Sequence, residues 1–131
     1  MTFPWMVNFF NPQRDQIRLS FDGRISNTTS WVLTNNTSVP IKLVYIWHSW
    51  PVAMDAVFNF ILDGSTIWSS EDLNPPTIVP DEADWFGAES NRIVAPKDTV
   101  DLDVFYGVGG ASTGFELILR FENGWEISAV G

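Results

Sequence analysis

The stretch that decides the fold is "FELILRFENGWEISAV", residues 115–130. Phe115, Leu117, Leu119 and Phe121 alternate with Glu116, Arg120 and Glu122. Successive side chains of an extended strand leave on opposite sides, so this period of two gives one apolar and one wet face. Asn123-Gly124 follows, a pair that tolerates positive φ and closes a tight hairpin. "WEISAV" (125–130) then returns as the partner strand.

The same grammar extends outward along the chain. Ile17, Leu19 and Phe21 alternate with Gln16, Arg18 and Ser20, and Trp31 and Leu33 sit in "TTSWVLTNN". Ile41, Leu43, Tyr45 and Trp47 alternate with Lys42 and His48, although Val44 and Ile46 make the other face apolar as well, and Trp47 is taken as a core residue. "AVFNFILD" (56–63) is apolar on both faces and suits a sheet centre, while Val100, Leu102, Val104 and Tyr106 alternate with Asp101 and Asp103. "SFDGRI" and "ILDGSTIW" set Asp-Gly turns between strands. The glycine-rich "GVGGASTG" (107–114) follows one strand and precedes another, and reads as a flexible hairpin loop. No run has helical spacing. The expectation is an all-β chain, an antiparallel sandwich of seven to nine strands over residues 16–131.

Residues 1–15 fit that pattern least. "MTFPWMVNFFNPQ" holds Phe3, Trp5, Val7, Phe9 and Phe10, too apolar for a tail in water. It is expected to be an edge strand or a docking segment, with Pro4 and Pro12 limiting its ladder. It has no basic region or cleavage site of a leader, so an exported form would need a leader that this sequence does not contain.

Composition removes several function classes. The chain has 131 residues and no run long enough to span a bilayer as a helix. Without cysteine there is no disulfide, thiol nucleophile or zinc–thiolate site. A net charge of −9 repels phosphate backbones and argues against nucleic acid. Nine acidic and two basic residues fall between 71 and 103, so the charge is concentrated there. His48, the only histidine, lies within a strand with no nucleophile motif around it, and the reading is non-enzymatic.

Two features remain as candidate sites. "IWSSEDLNPPTIVPDEADWFG" (67–87) reads as a long connection, stiffened by Pro75, Pro76 and Pro80. Ile78 and Val79 are expected to tuck beneath it, and its acidic side faces out as a recognition surface. Asp81, Glu82 and Asp84 offer oxygens to a hard cation such as calcium, without EF-hand spacing. Seven tryptophans are many for this length. Trp31, Trp47 and Trp125 fall in core phase. Trp50, Trp68 and Trp85 lie at strand ends or in loops, where an indole covers the core, stacks on a sugar or anchors a protein. With Asp81 and Asp84 they form the expected ligand or partner surface. The Asn-X-Ser/Thr sequons at Asn27, Asn35 and Asn36 read first as turn chemistry, then as glycan acceptors.

"TSWVLTNNTSVPIKLVYI", "ILDGSTIWSS", "NRIVAPKDTVDLDVFY" and "FELILRFENGWEI" occur in the order seen in immunoglobulin-like and fibronectin III-like modules of prokaryotic secreted and surface proteins. The chain resembles those modules over residues 16–130. The resemblance implies an immunoglobulin-like sandwich, extracellular or at the cell surface, and it transfers no catalytic residue. The expected function is surface structure, adhesion or self-assembly through protein contacts. The expected partner is a protein or copies of the chain itself. The alternative is a carbohydrate-binding module that holds polysaccharide on its loop tryptophans. No cofactor is expected beyond a weak case for calcium.

Overall fold

A computed structural model describes residues 16–131, in which Gln16 is helical and ten strands and two short 3-10 turns follow with their connections. Phe3, Trp5, Val7, Phe9, Phe10 and the rest of residues 1–15 lie outside the described residues. The strands are β1 (Ile17–Ile25), β2 (Thr28–Asn35), β3 (Ile41–Ser49), β4 (Val57–Leu62), β5 (Ser65–Asp72), β6 (Thr77–Val79), β7 (Ile93–Val94), β8 (Asp98–Tyr106), β9 (Glu116–Phe121) and β10 (Glu126–Val130). One sheet runs β1-β2-β8-β4-β5 and the other β10-β9-β3-β6, with β7 also on β3. The described pairings are antiparallel. The expected all-β sandwich is present.

Inward side chains of both sheets fill the space between them. Trp31, Leu33, Phe60, Leu102 and Val104 of the first sheet meet Leu43, Ile46, Leu117, Leu119 and Phe121 of the second. Burial of this apolar area, at about 25 cal/mol per Å², is the main term favouring the fold. The sandwich has two distinct ends. At the entry end, Asn36 N–H donates to the Gln16 carbonyl (2.7 Å), and the β4–β5 and β9–β10 turns lie at the same end. At the loop end, the β1–β2 turn meets the β3–β4 and β8–β9 connections.

The chain reverses at two of the three expected turns, and the two-residue type I′ form expected of all three holds at one. Asp63 and Gly64 both have positive φ (51° and 81°), as a type I′ turn requires. At Asn123-Gly124 only the glycine does, and Gly124 N–H donates to the Phe121 carbonyl, a three-residue loop closed by a left-handed glycine. Asp22-Gly23 is not a turn. It is a bulge inside β1, where the register shifts between Phe21 and Gly23, and the hairpin closes later at Ser26-Asn27.

Three further expectations are corrected. The strand count exceeds nine because β6 and β7, two or three residues each, are too short to show a period. The core phase of β3 flips at a bulge between Leu43 and Tyr45, which puts one extra residue opposite β9. Ile46, His48 and Trp50 therefore face the core, while Tyr45 and Trp47 stand on the outer face, only half-buried. The 107–114 segment is not a hairpin loop, since it carries the chain from β8 in one sheet to β9 in the other.

Candidate functional site

The β3 bulge sends His48 into the core, where its polar atoms need partners. His48 is fully buried. Its Nδ1 lies 2.8 Å from the Glu116 carbonyl, an acceptor, so Nδ1 carries the proton. Nε2, 2.6 Å from the Tyr106 hydroxyl, must then accept from it. That uses the Tyr106 proton, so Thr29 donates to the Tyr106 oxygen (2.9 Å), and Trp31 Nε1–H donates to Thr29 Oγ1 (3.1 Å). Each group in the chain is satisfied in one direction only. A second proton on His48 would reverse the Tyr106 hydroxyl and leave the Thr29 proton without an acceptor. Burial accordingly lowers the His48 pKa to about 4 and raises that of the Tyr106 phenol. Trp50 stacks on the imidazole at 5.5 Å, and Trp31 and Phe60 meet it edge-on. This relay is sealed from solvent and offers a substrate no path. It is a core device.

The acidic connection proves to be a cover. Its first part is the end of β5, and Thr77–Val79 pairs with β3 as β6. Val79 is buried as expected, but Ile78 faces out at 54% exposure, because β6 alternates like any strand. Beyond β6, Phe86 N–H donates to the Ile67 carbonyl of β5 (2.8 Å), which ties the loop to that sheet edge. Ala83 and Trp85 pack on the core, while Asp81, Glu82 and Asp84 are exposed. Among the described residues no three His, Cys, Asp or Glu side chains converge as a metal site. Near the entry end, a cleft of about 230 Å³ is lined by Pro40, Lys42, Glu89, Ile93 and Glu122. Its lysine is already held by Glu89 and Glu122, so the cleft has no cation left for an anionic ligand.

The tryptophans named from the sequence do not form a platform. Trp50 is 2% exposed, with its Nε1–H donated to the Asp55 carbonyl (2.7 Å). It leaves the expected surface, because the β3 bulge turned it inward. Trp68 is half-buried against Phe60, with ring centroids 5.2 Å apart. Trp85 donates Nε1–H to the Asp81 carbonyl (3.0 Å), and the Arg92 guanidinium covers its ring at 4.4 Å. Arg92 is itself buried and donates to the Leu43 carbonyl (2.8 Å), at the bulge. Among the sequons, Asn35 is fully buried. Its amide donates to the carbonyls of Val39, Val94 and Ala95, which makes it a turn-builder and not a glycan acceptor.

The feature that sequence reasoning missed is the loop end. Tyr106 N–H donates to the Asn27 carbonyl, and the Asn27 amide donates back to the Tyr106 carbonyl. Gly107 and Val108 donate to the carbonyls of Ala56 and Met54. Gly109 and Gly110 lie so close to the other two loops that a Cβ would sit 2.1 Å from the Ser26 oxygen and 2.2 Å from the Ala53 oxygen. The glycines are required by this approach. Three loops locked together in this way leave apolar side chains outside: Ile25 (84% exposed), Val52 (80%), Val108 (51%) and, beside them, Phe105. A signal for this was in the sequence. Residues 25–31 and 105–115 contain no charged side chain, in a protein of net charge −9, and Arg24 and Asp55 are the charges that border them.

No family model matches the chain, and no curated protein matches it. Among solved structures the chain is similar to the archaellum periplasmic stator protein FlaG from Sulfolobus acidocaldarius. That match has 15% identity and a TM-score of 0.41, over 86% of this chain and 96% of the other. It carries no residue role across. The immunoglobulin-like resemblance likewise stands only at the level of sandwich architecture.

Proposed function

We propose that the chain is a non-catalytic β-sandwich module that acts through protein–protein contacts, in self-assembly or surface structure, outside the cell. The observation that carries this reading is the loop end, rigid by backbone contact and apolar on its outside, with Arg24 and Asp55 as the charges at its margin. Ordered apolar side chains held out in water are unfavourable unless something covers them. One basic and one acidic side chain at its margin, Arg24 and Asp55, leave this patch without the excess negative charge that −9 per copy imposes elsewhere. The sealed histidine relay argues against catalysis, and the burial of Trp50 and the Arg92 cover on Trp85 weigh against a polysaccharide platform.

The test is self-association of the full chain beside an Ile25→Asp/Val52→Asp variant, measured by light scattering. Both positions are exposed, so the variant should keep its melting temperature within a few degrees. The expected result is a mass that rises with concentration for the unsubstituted chain and stays at one chain for the variant. Equal association of the two would remove the loop end from the reading.

A further inference from the structure

We infer that the loop end receives the apolar segment Phe3–Phe10 of another copy, so that copies join head to tail. This deepens the reading above and rests on it. The segment belongs to residues 1–15, and the chain enters the sandwich at Gln16, beside Asn36. That is the end opposite to Ile25, Val52 and Val108, because β1 runs the full length between them. Nine residues at about 3.3 Å each separate the two ends by roughly 30 Å.

This separation decides between a segment folded back on its own loop end and one reaching a neighbour. A return along its own sandwich would spend about nine residues on the crossing. Residues 7–15 would be used up, and Val7, Phe9 and Phe10 would be left along the route. Docking on the next copy spends no residues on a crossing and leaves Phe3, Trp5, Val7 and Phe9 together for one apolar surface. The surfaces are also compatible in charge, since residues 1–13 contain no charged side chain and the receiving end balances the acidic Asp55 of the β3–β4 connection with the basic Arg24 beside the β1–β2 turn. Phe3, Trp5, Val7 and Phe9 keep a period of two, so an extended segment presents them on one side. Donor and receiver are different surfaces at opposite ends. Such a contact is heterologous and continues as an open chain unless its rotation closes a ring.

The experiment mixes two chains that each lack one half of the contact. The Δ1–12 chain keeps the receiver, and Ile25→Asp/Val52→Asp keeps the donor. A full-length Trp5→Ser/Phe9→Ser chain serves as a second donor-less form, so that a folding defect of the truncation decides nothing. Each is expected to be a single chain alone by light scattering, while an equal mixture gives a complex of two chains and no larger. A mixture that stays monomeric overturns the head-to-tail contact. Donor-less chains that still associate, through a contact abolished by Ile25→Asp/Val52→Asp, overturn the N-terminal occupant and leave the loop-end contact in place. Association that survives Ile25→Asp/Val52→Asp removes the contact itself, and with it the proposed function.

Discussion

Two irregular connections among the described residues treat apolar side chains in opposite ways. The acidic one, residues 80–92, turns Ala83 and Trp85 onto the core and its carboxylates to water. The uncharged one, residues 107–114, buries backbone against backbone and leaves Val108 outside, beside Ile25 and Val52 of neighbouring loops. The first is complete as it stands. The second, rigid and apolar, is the surface proposed above as a contact. The acidic stretch attracts notice by its charge, yet charge facing solvent needs no partner.

The largest effect expected lies beneath the uncharged connection, where Tyr106 holds His48. The folded pKa of about 4 is below the unfolded value of 6.5, so the unfolded chain binds a proton that the folded chain refuses. This contribution to stability is full above pH 6.5 and is lost as pH falls towards 4. At about 1.4 kcal/mol per unit it amounts to roughly 3 kcal/mol. With one histidine in the chain, its NMR titration is unambiguous, and the midpoint should lie near 4. A midpoint at 6.5 would mean an open ring and a looser loop end.

Next in size is Gly110→Ala, whose Cβ would press on the Ala53 carbonyl. Overpacking of this kind costs about 1–3 kcal/mol in urea unfolding. No loss would mean that the loop yields, and the contrast in rigidity would fail. Trp85→Ala should cost about 2 kcal/mol, less than a fully buried aromatic, because it uncovers the core edge and Arg92. The smallest effect belongs to Asp81→Asn with Asp84→Asn. Stability should stay within about 0.5 kcal/mol, with self-association no weaker. Weaker association in that pair would return the acidic connection to the list of contact surfaces.

The sandwich was legible because alternation survives over whole strands such as β8 and β9, and because Asp63-Gly64 and Asn123-Gly124 lie where the chain reverses. What could not be read was change of phase. A period carried through "IKLVYIWHSW" gives Tyr45 and Trp47 to the core, and one bulged residue reverses that and buries His48 and Trp50 instead. Asp22-Gly23 has the composition of a turn but serves as a bulge, since both uses require the same backbone freedom. β6 escaped notice because three residues carry no period, and the loop end because it is assembled from three distant stretches. Charge depletion was the trace that those stretches left in the sequence.

The most direct measurement is sedimentation velocity of the unsubstituted chain over a wide concentration range. The account predicts growth through successive species without a plateau at two chains, as an open contact between unlike surfaces requires. A single species of 14.8 kDa at every concentration would contradict it.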